Sequence, residues 1–343
     1  ISSISQMKQH RTESFSESTT YLVLVKALSF LPLILLPLLA RSETSSIFTQ
    51  VMLALTIDRF IYIVYEFGSH IPNVTKITYL LKNKSIKDST KQISLIFSQV
   101  KLLRISIWLL SILIIYSSLS IFELNSINRS FLYICLISGL FRVLSPIWFF
   151  LAIKQLRYQF FMALLAKLIC FIGVMYLFFK GNLTGLNYLI IFAFSDFVGF
   201  VSGLIYYFVN GFKITRLNFI SFKQTLKESI NYCLERISLA GYNFVPPIIL
   251  GFLNPTSFIF FSLSERIYSA LQSINSPIMD AIFAHRISDS FIKFRTAFFL
   301  VFLFSSMNSL FIFIFSDRII IFLFGNEYLE SAIILKLLCI TFV

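Results

Sequence analysis

Ionisable side chains embedded in apolar sequence are the residues of this chain that could do chemistry. A charge near the centre of a bilayer is costly, so such a group normally faces the interior of a helix bundle or a water-filled cavity. The residues in that position are Lys26, Asp58, Arg59, Glu66, Arg142, Lys167, Asp196, Glu235, Arg236, Glu265 and Arg266. Their mixed signs predict a polar central pathway that handles an anionic or strongly polar compound.

Spacing gathers several of these side chains on common helix faces. Arg59, Tyr62 and Glu66 stand at i, i+3 and i+7, and Asp58 and Tyr65 form a neighbouring stripe. A helix over this stretch would therefore present one polar side to the predicted pathway.

Two later apolar runs carry similar signals. Glu235, Leu239 and Tyr242 follow the same helical spacing. Arg142 lies one turn before Pro146, where a broken hydrogen-bond ladder could expose carbonyl groups to a cavity.

Structural roles compete with the functional interpretation. Long side chains near the ends of a span reach the headgroups by snorkelling, and adjacent acid–arginine pairs either mark span ends or form ion pairs that fix helix packing. The first description fits Lys26, Glu66 and Arg157, and the second fits Asp58-Arg59, Glu235-Arg236 and Glu265-Arg266. Arg142, Lys167 and Asp196 lie deeper in their apolar runs, which favours a functional role.

Catalytic and metal-binding patterns are absent from the sequence. It contains no P-loop, GxSxG, HExxH or DxD-like motif, and His10, His70 and His285 are scattered over loop positions. The cysteines stand singly in apolar stretches, without the CxxC spacing of a metal site. We predict no cofactor, no metal and no enzyme activity; any transport is downhill or coupled to an ion gradient.

Composition identifies the kind of element that must position these residues. The chain has 343 residues, of which 57% are hydrophobic and 13% are charged, whereas a soluble domain has about 45–50% apolar and about 25% charged residues. A soluble enzyme, a disordered regulator and a disulfide scaffold are thereby excluded. The formal net charge of +13 fits the Lys and Arg that cytoplasmic loops of membrane proteins collect, so we expect no nucleic-acid partner.

Hydropathy divides the chain into candidate transmembrane helices, each of which needs about 20 mainly apolar residues. The predicted spans are 21–40, 46–66, 103–122, 130–151, 158–179, 186–209, 232–252, 257–279 and 297–316, and a further span begins near 331. The short apolar run 319–324 is predicted to be a separate interfacial element.

Basic residues accumulate in alternate connections, which predicts the orientation. Most of them lie in segments 1–20, 67–102, 152–157, 210–231 and 280–296. The positive-inside rule then places the N-terminus and these segments in the cytoplasm. Because the sequence begins at Ile1 and stops at Val343 inside an apolar run, we expect it to be a fragment that lacks later spans.

Several stretches carry motifs of one membrane-protein family. Residues 37–68 form a hairpin that ends in Glu66-Phe67-Gly68, residues 144–150 contain Pro-x-Trp-Phe-Phe, residues 246–287 cover the seventh and eighth spans, and residues 324–330 contain an FG-x-x-Y element. In order and spacing these motifs resemble those of Wzx-type polysaccharide flippases, whose superfamily also holds multidrug and toxin extruders. The resemblance extends over most of the chain, from 21 to 343.

The resemblance implies an all-α polytopic integral membrane protein with a two-bundle, MATE-like flippase fold. About twelve spans are expected in the family, of which about nine or ten are present here. The N-terminal six-helix bundle would cover 1–215, and an incomplete C-terminal bundle would cover 216–343.

The resemblance also implies a function: flipping of undecaprenyl-pyrophosphate-linked oligosaccharides across the bacterial inner membrane, by ion-coupled alternating access, for O-antigen or capsule assembly. Cavity cations would hold the pyrophosphate and sugar while the apolar tail stays in the lipid bilayer, and carboxylates would balance them or carry a coupling proton. The expected cations are Arg59, Arg142, Lys167 and Arg236, and the expected carboxylates are Asp58, Asp196, Glu235 and Glu265. A polysaccharide polymerase and a chain-length regulator are the expected protein partners.

Two other functions stay open at this point. A multidrug or cation antiporter of the same superfamily would prefer acidic cavity residues, but acidic and basic groups are nearly balanced in these spans. A membrane polysaccharide polymerase or ligase usually carries a large periplasmic loop containing arginine, and the predicted outer connections here are short.

Overall fold

The computed structural model describes residues 15–28, 31–83, 86–121, 128–153, 155–215, 219–286 and 291–340. Within these residues the regular structure is helical throughout, which confirms the predicted all-α class. The helices are α1 (Phe15–Leu28), α2 (Leu31–Ser42), α3 (Ser45–Glu66), α4 (His70–Asn83), α5 (Ile86–Ile121), α6 (Arg129–Leu144), α7 (Ile147–Ala152), α8 (Leu156–Phe179), α9 (Gly185–Val209), α10 (Phe219–Leu253), α11 (Pro255–Arg286), α12 (Phe291–Phe324) and α13 (Glu330–Ile340). A 3₁₀ turn at Asn326–Tyr328 precedes α13.

Seven stretches of the described helices are long and apolar enough to cross a membrane. They are Ser45–Glu66, Ser89–Ser117, Arg129–Ala152, Leu156–Phe179, Gly185–Val209, Phe222–Leu253 and Ser305–Phe324. Each overlaps a span predicted from hydropathy. The other predicted spans coincide with α1 and α2, with α11 and with α13, which do not meet the same length and hydropathy over the described residues.

The end of α12 contradicts one prediction. The helix continues without interruption to Phe324, so 319–324 is not a separate interfacial element. Asp317, in the predicted connection after residue 316, accepts a hydrogen bond from Lys336 Nζ of α13 at 2.8 Å. Because Lys336 pairs with the Asp317 carboxylate, α12 can continue past this charge to Phe324.

The basic segment 67–102 also differs from a simple connection. It forms α4 and the first turns of α5, and α4 packs against α5, α7 and α10. Val74, Ile77 and Leu80 of α4 stand at helical spacing and pack into one apolar core, so this basic segment forms an amphipathic helix instead of a loop.

Local sequence determines where the helices that carry the ionisable residues begin and end. The Asn128 side chain caps α6 by accepting a hydrogen bond from the Ser130 N–H at 3.0 Å. α6 ends at Leu144, because Pro146 has no N–H to continue the ladder, and the short α7 follows. The break leaves Arg142 in the last turn of α6.

α3 lies at the centre of the packing. It contacts α5, α6 and α9 from the earlier part of the chain and α10 and α11 from the later part. Its buried Phe48, Val51 and Met52 share one apolar core with Phe258 and Leu263 of α11. α3 therefore joins the two predicted bundles, whose boundary near 215 stays a prediction.

A second core fixes α5, α7 and α9 to one another. The Phe97 ring stacks on Tyr207 with a centroid distance of 4.0 Å and on Trp148 with a centroid distance of 5.8 Å. Phe149 and Phe150 of the Pro-x-Trp-Phe-Phe motif are fully buried in the same core. The motif thus holds α7, and with it Trp148, at a defined place beside α5.

Candidate functional site

Three helices bring their deepest charges together in a central cluster formed by Asp58, Ser138, Arg142 and Asp196. Arg142 Nη2 of α6 donates to both carboxylate oxygens of Asp58 on α3. Its Nε lies 3.2 Å from Asp196 Oδ2 on α9, which also accepts a hydrogen bond from Ser138 Oγ at 2.6 Å. Only 3% of the Asp58 side chain is exposed. The arrangement is a guanidinium held between two carboxylates inside an apolar bundle.

A cavity of about 210 Å³ opens beside the central cluster. Arg142, Lys167 and Asp196 line it, together with the polar side chains of Gln159 and Ser195. The Lys167 ammonium lies 5.3 Å from the ring centroid of Phe192. The basic side chains of Arg142 and Lys167 therefore lie beside the carboxyl groups of Asp58 and Asp196.

A smaller cavity of about 160 Å³ adjoins the first and shares part of its lining. Tyr62, Arg142, Ser145, Ile147 and Gln159 line both cavities. The smaller cavity extends the polar surface from the centre of α3 to the end of the helix at Glu66.

A second group of charges joins the two parts of the chain; we call Glu66, His70 and Arg236 the bridging cluster. The Arg236 guanidinium of α10 pairs with Glu66 at the end of α3. Arg236 Nη1 also lies 3.2 Å from His70 Nδ1, which is 3.0 Å from Glu66 Oε1. Side-chain exposure is 13% for Glu66 and 35% for Arg236, so this cluster is more open to solvent than Asp58.

The structure separates the predicted site residues into groups. Asp58, Arg142, Lys167 and Asp196 line one cavity or its edge, as described above. Arg236 belongs to the bridging cluster instead.

The other predicted residues lie elsewhere. Glu265 is partly buried and accepts a hydrogen bond from Ser269 Oγ at 2.5 Å. Arg59 is partly buried, and its positive charge repels that of the buried Arg266. Glu235 is exposed on α10, so the structure does not bring it to the cavities. The side chains of Lys26 and His285 lie outside the described part of the chain.

Arg104 and His70 were not among the predicted site residues. Arg104 of α5 lines the smaller cavity and donates a hydrogen bond from Nε to Ser69 Oγ at 2.9 Å. Both residues stand in or beside the basic segment 67–102, where charges are expected from the positive-inside rule alone. The one sequence signal that could have found Arg104 is its position inside the apolar run that begins at Leu102.

A third opening lies at the other end of α3. It has a volume of about 430 Å³ and lies between the first turns of α3 and α11. Its lining is rich in uncharged polar groups: Ser45, Ser46, Thr49, Gln50 and Thr256. α3, at about 1.5 Å rise per residue, separates this cleft from the bridging cluster by the full length of a membrane span.

Comparison with known proteins finds a likeness in structure and none in sequence. No protein-family profile and no curated protein sequence matches the chain. A solved structure described as the inward-facing conformation of a multidrug resistance MATE family transporter of the MOP superfamily superposes with a TM-score of 0.65. The identity is 11%, and the match covers 91% of this chain and 78% of that one. The chain is therefore an all-α, polytopic membrane protein with the fold of a MATE transporter.

Proposed function

We propose that this protein is a membrane transporter that moves a lipid-linked oligosaccharide with a pyrophosphate group across a bacterial inner membrane. The fold supports transport, and the sequence motifs that resemble Wzx-type flippases support the substrate class. The observation that carries the proposal is the central cluster, in which Arg142, Asp58 and Asp196 meet beside a cavity of about 210 Å³.

Physical cost argues that this cluster is more than a packing device. Ion pairs taken out of water rarely repay their desolvation, and apolar residues of similar volume stabilise a bundle as well or better. Arg142 and Lys167 face a cavity instead of filling it. Their cationic groups can interact with phosphoryl or sugar oxygens, while the apolar tail of the substrate remains in lipid.

The openings at the two ends of α3 suit alternating access. The cavity of about 160 Å³ reaches the Glu66 end, and the cleft of about 430 Å³ lies at the Ser45 end. Rocking of α10 and α11 against α3 would open one end and close the other. On the predicted orientation, the Glu66 end faces the cytoplasm and the hydroxyl-rich cleft faces the periplasm.

Complementation tests this proposal. The full-length gene would be expressed in a cell that lacks its own O-unit flippase, and long-chain surface polysaccharide would be stained on a gel. Restored ladders are expected from the natural protein. Arg142→Ala should abolish them, and Arg129→Ala, an exposed arginine at the start of the same helix, should leave them intact at equal membrane expression. Ladders that persist with Arg142→Ala would count against the role of the central cluster.

A multidrug or cation antiporter is the second candidate. The observation in its favour is that two carboxylates, Asp58 and Asp196, surround a single guanidinium and would be free to hold a cation if Arg142 moved away. Absence of ladders together with raised resistance to cationic dyes on plates would support this candidate. Loss of that resistance with Asp196→Asn would then identify the cation-binding carboxylate.

A further inference from the structure

Arg104 is a buried cation that forms no salt bridge within the described residues. The residue is 4% exposed, and its Nε donates to Ser69 Oγ at 2.9 Å. Nη2 has no hydrogen-bond partner within the described residues. Buried polar groups are nearly always paired, because an unsatisfied donor loses its hydration without compensation, so this nitrogen calls for a ligand.

The carboxylate in the cavity beside Arg104 is shared among several positive groups. Of the residues that line this cavity of about 160 Å³, Glu66 is the acidic one, and it already contacts Arg236 and His70. Arg142, which also lines this cavity, is already paired with Asp58. The cavity therefore has a surplus of positive charge, and Arg104 is its source.

The shape around Arg104 suits an anion with several oxygen atoms. Its guanidinium lies 5.8 Å from the ring centroid of Trp148, within the range of a cation–π contact. A planar guanidinium presents parallel N–H donors that match phosphate oxygens. The cavity has room for about five water molecules at about 30 Å³ each, which is enough for a phosphoryl group.

We propose that Arg104 forms a binding site for a phosphoryl group, separate from the central cluster and one step closer to the Glu66 end of the pathway. The identification of that group with the pyrophosphate of a lipid carrier rests on the proposed function. The same chemistry fits the headgroup of an anionic phospholipid, so the test must separate the two sources.

Calorimetry on the full-length protein in nanodiscs of neutral lipid tests the site, with inorganic pyrophosphate as the probe. Arg104→Gln should weaken binding about ten- to a hundredfold, the loss expected for a hydrogen bond to a charged group. Arg104→Lys keeps the positive charge but loses the parallel N–H donors of the guanidinium, so it should bind pyrophosphate with intermediate affinity. Lys101→Gln is the matched control, because Lys101 lies one turn away on α5 against the rings of Phe97 and Phe200; it should bind pyrophosphate as the natural protein does.

Equal pyrophosphate binding by the natural protein and by well-folded Arg104→Gln overturns the proposal. If Arg104→Gln does not fold, weaker binding by Arg104→Lys than by Lys101→Gln still supports the site, and equal binding by these two overturns it. Repeating the titration in phosphatidylglycerol nanodiscs separates the sources: a lipid headgroup in the site would compete and weaken pyrophosphate binding, whereas unchanged binding assigns the site to the transported substrate.

Failure of this inference and failure of the proposed function give different results. If the natural protein restores surface polysaccharide but pyrophosphate binding ignores Arg104, the function stands and the site is wrong. If pyrophosphate binding depends on Arg104 but no polysaccharide appears, the anion site stands and its ligand is not an oligosaccharide carrier.

Discussion

The central cluster and the bridging cluster use the same chemistry in different surroundings. In the central cluster, the pairing of Asp58, Arg142 and Asp196 stays within α3, α6 and α9, and Asp58 is 3% exposed. In the bridging cluster, Glu66 pairs with Arg236 across the contact between α3 and α10, and the arginine is 35% exposed. When a buried ion pair loses one partner, the other charge remains in the protein interior without compensation. When an exposed ion pair loses one partner, water solvates the remaining charge. The central cluster is therefore expected to stay paired, whereas the bridging cluster can break and re-form.

Removal of the central guanidinium should produce the largest effect. Arg142→Gln removes the guanidinium that pairs with both Asp58 and Asp196, and breaking a buried pair in this way costs about 3–5 kcal/mol of unfolding free energy. Thermal unfolding of the purified protein in one detergent measures the loss. Arg129→Gln, exposed on the same helix, should unfold like the natural protein. Asp58→Asn combined with Arg142→Gln should regain part of the loss; equal stability of Arg142→Gln and Arg129→Gln would contradict the contrast.

Close approach of α10 to the end of α3 should produce the next largest effect. Gly68 has φ +58°, and a Cβ at this position would lie 2.7 Å from the backbone carbonyl carbon of Tyr232 on α10. Gly68→Ala therefore combines the cost of a left-handed backbone with overpacking at the contact, together about 2–5 kcal/mol.

Gly211→Ala is the control that separates these two costs. Gly211 has φ +79°, but a Cβ there would meet nothing within 4 Å. This variant should lose only the conformational cost of about 1–2 kcal/mol. Equal thermal stability of the two alanine variants would show that α10 does not press on Gly68 in solution.

The sequence could predict which charges are buried but not which of them meet. Asp58 and Arg142 are 84 residues apart, and each is conspicuous because it interrupts an apolar run. Their contact depends on how α3 and α6 pack, which hydropathy does not encode. Glu235 is an example of a charge that was wrongly expected to be buried. Its spacing on α10 resembles that of Glu66 on α3, but its side chain is exposed.

Helices with long apolar runs could be predicted from the sequence, whereas the helix formed by a segment rich in basic residues was missed. The seven membrane-length helices follow from hydropathy alone, since each has enough apolar residues to cross the hydrocarbon. α4 was missed because its basic residues indicate a cytoplasmic segment without saying whether that segment is helical. Arg104 was missed for the same reason, although packing against Trp148 buries it.

A double-mutant cycle compares the two clusters directly. Glu66→Gln and Arg236→Gln, singly and together, should give a coupling energy of about 1 kcal/mol or less, because solvent reaches Arg236 and replaces its partner. The corresponding cycle on Asp58 and Arg142 should give a clearly larger value. Thermal or denaturant unfolding of each set measures both energies, and coupling energies of similar size would remove the distinction drawn between a persistent cluster and a breakable one.

The smallest effect is expected at Lys76 and Glu228, which extend the contact between α4 and α10 toward solvent. The two side chains form an ion pair and are 36% and 31% exposed. Such pairs contribute about 0.2–1 kcal/mol and are screened by salt. Lys76→Gln should therefore lower the unfolding temperature slightly in about 0.05 M salt and not at all in about 0.5 M salt, where the Debye length falls below about 8 Å.

The stability lost in Arg142→Gln should persist at both salt concentrations, since solvent ions do not reach Asp58. If salt changed the stability lost in Arg142→Gln, water and ions would have to reach the central cluster as freely as they reach the Lys76 side chain. The difference between a buried, persistent cluster and exposed, breakable ion pairs would then be contradicted.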